Sequence, residues 1–189
     1  MRAKDDEKVC RVHRAALKLF NEQGFHGASM GKIAKEAGVS PATLYLYYEN
    51  KDDMIRKVYL QENARMAEAV LGKMSGESFR QRLRSIFMAY YHYILESPQS
   101  FRFMEQYLNC PCLSGNCVKA MQDSFAELFK LLRAGKRDGL LRNVSDDMLF
   151  AFLFFPVGKV AKATLTKAMS PTADDLEDMF DMSWSAVRA

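Results

Sequence analysis

Residues 29–51 read SMGKIAKEAGVSPATLYLYYENK, and this stretch decides how the first third of the chain folds. Ser29 is placed to cap a short helix through Met30, Ile33, Ala34 and Ala37, whose apolar spacing is helical. Gly38 ends that helix. Ser40 with Pro41 opens another: a capping hydroxyl ahead of a proline at the first helical position. Two short helices joined by Ala37-Gly38-Val39-Ser40 are the features of a helix-turn-helix, at about residues 29–48. The helices must cross steeply over a turn of about three or four residues, which needs glycine at its sharpest point. They must also pack closely, as Ala34 and Ala37 facing Val39 and Leu44 permit.

An ordinary helical hairpin would share this spacing, but the outward face of the second helix argues against one. Pro41, Ala42, Thr43, Tyr45, Leu46 and Tyr47 place small, hydroxylated and aromatic groups where a solvated helix carries Glu and Lys. Such a face suits a DNA major groove. Small residues allow close approach, a threonine touches a base edge or a thymine methyl, and tyrosine hydroxyls bond phosphates.

Outward from this stretch the spacing stays helical and shows no β alternation. A first helix is expected from about Asp5 to Glu22, with Val9, Val12, Ala16 and Phe20 on one stripe and Gly24 ending it in a left-handed conformation. Asn50 starts a fourth helix that runs to about Leu71, with Asp52 and Asp53 in the first turn where the helix dipole favours negative charge. Gly72 to Ser78 is the best junction. Beyond it helices are expected at about 77–96, 99–108, 114–137, 145–167 and 172–188, with breaks at Ser97-Pro98, Cys110-Pro111, Gly135/Gly139 and Ser170-Pro171. The fold class is all-α. By spacing the chain is a small four-helix N-terminal unit followed by a larger helical bundle. The family resemblance given below implies a three-helix helix-turn-helix domain, 1–55, joined through a long helix to a C-terminal helical bundle, 56–189.

Composition agrees. The 189 residues are 49% hydrophobic, with 13 Phe, 8 Tyr and 12 Met, which excludes a disordered chain. The net charge is +4, and residues 1–60 hold 11 basic and 8 acidic side chains, an excess compatible with nucleic acid. The longest apolar run, Met148 to Val157, falls short of the roughly 20 residues that cross a bilayer and contains Pro156, so no membrane span is expected. The charged first twenty residues do not read as a signal peptide, which makes the expected location cytoplasmic. Four cysteines are too few and too clustered for a disulfide framework.

Taken together, Ala15-Ala16, Leu19-Phe20, Gly24-Phe25, Ile33-Ala34, Ala37-Gly38-Val39-Ser40, Thr43-Leu44-Tyr45, Tyr47-Tyr48 and Lys51 resemble the N-terminal domain of the tetracycline-repressor (TetR) family. The resemblance spans Val9 to Ile55, about a quarter of the chain. It implies that Thr43, Pro41 and Ala42 read bases, while Ser29, Tyr47 and Lys51 hold phosphates; Lys32, Ser40 and Tyr45 complete the candidate DNA surface. Family members usually carry glycine near Ala42, phenylalanine at Tyr48 and often a polar residue at Leu46, so the leucine bears on base preference.

The resemblance also implies a C-terminal domain that dimerises through its last two helices and encloses a ligand pocket. The residues agree. The helix from Ser145 is apolar nearly all round, Gly158 and Ala161 allow a close partner, and Leu176, Met179, Phe180, Trp184 and Val187 share a stripe. Candidate interface residues are Phe152, Phe155, Gly158, Met179, Phe180 and Trp184. Phe87, Tyr90, Tyr91, Phe103, Met104, Tyr107, Phe125 and Phe129 are candidates to line a pocket for a small apolar or aromatic effector. The expectation is a homodimeric, ligand-responsive repressor of a pseudo-palindromic DNA operator.

Other motifs are weaker. Gly27-Ala28-Ser29-Met30-Gly31 spells G-x-S-x-G and Ser29-Met30-Gly31-Lys32 spells S-x-x-K, but a nucleophile elbow needs a strand before it, and here a helix end precedes. No catalytic residue, enzyme activity, cofactor or metal is expected. The alternative is a metal- or thiol-redox-responsive repressor using Cys110, Cys112 and Cys117, although C-x-C-x4-C is not a standard structural zinc spacing. Cys10 reads as structural, and His13 and His26 as ordinary surface or packing residues. Lys130, Arg133, Lys136, Arg137 and Arg142 read as a solvated helix end.

Overall fold

Glycines, capping hydroxyls and prolines divide the chain into ten helices in a computed structural model that describes residues 2–110 and 117–189. In order they are α1 (Arg2–Gly27), α2 (Met30–Ala37), α3 (Pro41–Tyr45), α4 (Lys51–Leu71), α5 (Phe79–Glu96), α6 (Pro98–Leu108), α7 (Cys117–Ser124), α8 (Ala126–Arg137), α9 (Asp146–Leu165) and α10 (Ala173–Val187). No strand occurs among the described residues, so the molecule is all-α as expected. The helices form two units: Met1–Asn63 with Gln99–Ala120, and Ala64–Pro98 with Met121–Ala189.

In the first unit, Val12, Ala15, Ala16, Leu19 and Phe20 bury one face of α1. Gly24, at φ 68° and ψ 174°, kinks α1 where the sequence ends it, and a last turn runs on to Gly27. Helix α6 belongs to this unit, which its place in the chain does not reveal. Phe103 packs on Phe20 and Phe25, with centroids 5.9 and 5.7 Å away, and Tyr107 stacks on Tyr59 at 4.0 Å. Asn21 donates to the Gln99 carbonyl at 3.0 Å.

The second unit packs α5, α8 and α10 around α9, and α5 against α10. Phe87 meets Phe180 at 5.3 Å, and Arg84 and Arg80 of α5 pair with Glu177 and Asp181 of α10. The segment expected as one helix at 114–137 is two, broken at buried Phe125, where φ −98° and ψ 25° leave the helical range. The basic group that follows is not merely solvated: Arg133 and Lys136 hold Asp146 at 2.7 and 2.5 Å, fastening α8 to the start of α9. Burial alone would raise the Asp146 carboxyl, but these hydrogen bonds outweigh it and hold it below its ordinary range.

Helix α9 runs unbroken through Pro156, which lies on its exposed side. By length and composition alone it is long and apolar enough to cross a membrane, a property that core helices share. Leu149, Leu153, Phe154, Val157 and Ala161 are buried within the unit, while Met148, Phe152 and Phe155 are exposed.

Candidate nucleic-acid interface

The turn between α2 and α3 is built by local hydrogen bonds. Ser29 Oγ accepts from the Lys32 N–H at 3.3 Å and caps α2. Gly38 adopts φ 65°, ψ 39°, a left-handed conformation that a Cβ would strain, and its N–H reaches the Lys35 carbonyl at 3.2 Å. The Val39 N–H closes the turn on the Ala34 carbonyl at 3.0 Å. Ser40 Oγ then accepts from the Thr43 N–H at 3.2 Å, and its hydroxyl also bonds that of Thr43 at 2.9 Å. Helical bonding outlasts α3 itself: the Tyr47 and Tyr48 N–H groups both donate to the Leu44 carbonyl, at 3.0 and 2.9 Å.

Burial sorts the faces. Met30, Ile33, Ala34 and Ala37 of α2, with Leu44 and Tyr48, point inward. Pro41, Ala42, Tyr45 and Leu46 are exposed, and Thr43 and Tyr47 half-buried. All nine candidate DNA residues lie in the first unit: Ser29, Lys32, Ser40, Pro41, Ala42 and Tyr45 exposed, and Thr43, Tyr47 and Lys51 half-buried. Lys51 Nζ reaches the Ala28 carbonyl at 3.5 Å, bringing the start of α4 beside the start of α2. Lys32 folds back onto Gln23 Oε1 and the Gly27 carbonyl, at 2.8 and 2.9 Å.

Sequence reasoning missed Lys57. Its ammonium bonds the Tyr47 carbonyl at 2.9 Å and Asp53 at 2.8 Å, and lies 5.6 Å from the Tyr48 ring centroid. It thereby pins the exit of α3 to α4, and the i, i+4 spacing from Asp53 was the available signal. Asp53 also accepts from the Glu49 N–H at 3.1 Å and from Arg56 at 2.5 Å. The hydrogen bond from Lys57 holds the Asp53 carboxyl below its ordinary range, against the opposing effect of burial. Burial, helped by the Asp53 charge, pushes the Tyr48 hydroxyl up.

His13 and Cys10 need correction. His13 is no ordinary packing residue: it is 2% exposed and bonds Glu62 at 2.5 Å, while Ser100 donates to the other oxygen of that carboxylate. The three residues join α1, α4 and α6 through one buried carboxylate. Cys10 is exposed, so it is not part of the core.

The eight pocket candidates are divided between the two units. Phe103, Met104 and Tyr107 are core residues of the first unit; Phe87, Tyr90, Tyr91, Phe125 and Phe129 lie in the second. Among the interface candidates, Met179 and Phe180 are buried against their own chain, Phe180 on Phe87 of α5. Gly158 and Trp184 are half-buried, and Phe152 and Phe155 are exposed. A groove of about 280 Å³ beside Phe152 is lined by Arg142, Val144, Met148, Leu149, Ala186 and Val187. Among the described residues, no three His, Cys, Asp or Glu side chains are grouped to hold a metal. Cys110 is half-buried after α6, Cys112 lies outside the described residues, and Cys117 opens α7.

Residues 13–58 match the family described as bacterial regulatory proteins, tetR family, and residues 78–188 match the Tetracyclin repressor-like, C-terminal domain. The crystal structure of a TetR family transcription regulator from Marinobacter aquaeolei VT8 is similar at a TM-score of 0.92 and 30% identity, covering 100% of this chain and 99% of that one. An uncharacterized HTH-type transcriptional regulator of Haemophilus influenzae is 26% identical over 190 residues, 100% of both chains. The fatty acid metabolism regulator protein of Bacillus subtilis is 34% identical over 61 residues, 32% of this chain and 31% of that one.

Proposed function

We propose a function from one premise: the chain belongs to the TetR family of bacterial regulatory proteins, DNA-binding transcriptional regulators and not enzymes. In our reading it is a homodimeric repressor. Two copies of α3 enter successive major grooves, about 34–36 Å apart, of a pseudo-palindromic operator. The observation that carries this reading is the Ser40-capped helix behind the left-handed Gly38 turn, anchored by Leu44 and Tyr48 and presenting Pro41, Ala42 and Tyr45 to solvent. Thr43, Pro41 and Ala42 meet base edges, and Ser29, Tyr47 and Lys51 meet phosphates, with Lys32, Ser40 and Tyr45 completing the surface. Residues 1–55 read DNA; residues 56–189 sense and dimerise.

A second copy covers the exposed stripe of Met148, Phe152 and Phe155, which recurs at i, i+4 and i+7, and Gly158 allows close approach. The effector is a small apolar or aromatic molecule held in the second unit. This is supported by its ring cluster, in which Tyr90 lies 5.9 Å from Phe154, and Phe150 lies 5.1 Å from Phe154 and 6.0 Å from Phe129. The Bacillus relative regulates fatty acid metabolism by its name, but its match covers only 32% of this chain and identifies no effector here.

The ligand acts through unequal affinity for the DNA-competent and incompetent conformations. Helix α4 is the element able to report it, since it begins at Lys51 and its last residues, from Ala64, belong to the second unit. The test is selection of binding sequences from random duplex DNA by the full chain, followed by titration of small apolar and aromatic compounds. Enrichment of a pseudo-palindrome and release by one compound support the reading. A compound that saturates the protein without changing operator affinity removes the release mechanism.

A further inference from the structure

Leu46 is 80% exposed, more than any other large apolar side chain among the described residues. It follows Leu44, fully buried, by two positions and Ala42 by four. At 100° per residue, Ala42 and Leu46 therefore form the outermost line of the reading helix, opposite its anchor. The backbone there is fixed: Leu46 is helical at φ −72° and ψ −25°, and its N–H bonds the Thr43 carbonyl at 3.3 Å. The next residue's carbonyl is held by Lys57. A branched aliphatic group on a pinned turn in open water contributes little to folding, since it buries almost no apolar surface.

The charge of its unit points to what covers it. Lys32, Lys35, Arg56 and Lys57 are exposed and Lys51 half-buried in the same unit, while two of its carboxylates are occupied, Asp53 by Lys57 and Glu36 by Lys18. An apolar point within cationic and hydroxylated surface suits a polyanion that offers an apolar group at the bottom of a groove. In the major groove of duplex DNA that group is the thymine C5-methyl. Resting on the DNA-binding reading, we propose that Leu46 is a specificity-determining residue that packs on one thymine methyl in each operator half-site, Ala42 giving the clearance for it to reach the base edge.

The experiment uses the full chain and an operator selected from random duplex. Each thymine of a half-site is replaced in turn by deoxyuridine, which removes only the methyl, and affinities are measured for the wild type and Leu46→Ala. At one thymine the replacement should weaken wild-type binding roughly four-fold per half-site, about fifteen-fold for both, the ratio expected for one buried methyl each. Leu46→Ala should lose a similar factor on the thymine operator, keep its melting temperature, and be indifferent to deoxyuridine at that position. Equal sensitivity of both proteins to every deoxyuridine, or unchanged affinity of Leu46→Ala, overturns the assignment while leaving DNA binding intact. Failure to enrich any duplex overturns the DNA reading and the role of Leu46 with it.

Discussion

Lys51 and Thr43, both assigned to the proposed DNA surface, should fail in different ways when truncated. Lys51→Ala is expected to weaken binding to all sequences alike and to lower the salt slope by about one unit per half-site. Thr43→Ala is expected, on the proposed base contact, to relax preference at one operator position at a cost of about 1–3 kcal/mol. Titrations at several salt concentrations separate the two, and unchanged affinity per folded dimer removes both roles. Glu62 belongs to folding instead. Glu62→Ala leaves His13 buried without its partner and should cost about 1–3 kcal/mol in urea denaturation, whereas Ser100→Ala removes a single bond from a half-buried group and should cost less. A loss from Ser100→Ala as large as from Glu62→Ala would show that the carboxylate does not join the cluster. The pairing was illegible in sequence because His13 and Glu62 lie 49 positions apart and packing alone brings them together. Ser29, Gly38, Ser40 and Pro41 were legible because their roles are local.

Among the elements, α1 kinks at Gly24 and α2 ends at Gly38, two glycines with positive φ and no atom within 4 Å of a Cβ added at either, so substitution there tests backbone strain alone. Gly38→Ala should cost about 1–2 kcal/mol. Gly24→Ala should cost more, since ψ 174° places it in a region almost confined to glycine, where αL lies at ψ 39° for Gly38. Thermal melts of the two variants decide the order. Asp53 ties the α3–α4 connection, and its lowered folded pKa gives the sign of its pH effect: the stabilisation is present above the ordinary carboxylate range and is lost as pH falls through the lowered value. Asp53→Asn should therefore reduce stability at neutral pH and flatten the loss below about pH 4. An acid limb as steep as wild type would contradict it. Element existence was legible from caps and spacing. The break at Phe125 was not, since an apolar residue gives no stop signal, and neither was the packing of α6 on α1 and α4, which depends on long-range contacts of Phe103 and Tyr107.

For the whole molecule, the sequence shows that α9 is apolar on nearly every side but not which side the chain itself covers. Met179 and Phe180 are buried, Phe180 against Phe87 of α5, while Phe152 and Phe155 are exposed. Phe155→Asp, at a position 63% exposed, should preserve helicity and shift the chain toward monomer in sedimentation; a dimer as tight as wild type would move the interface elsewhere. The central claim is that two copies of α3 read one duplex together. Hydroxyl-radical footprinting of the full chain on its selected operator, with stoichiometry measured on the same complex, tests it most directly. Two protected patches on one DNA face, centred about 10 base pairs or a multiple of that apart and bound by paired protomers, are expected. A single patch held by one protomer, or protection that survives the combined loss of Thr43, Tyr45 and Leu46 side chains, would contradict it.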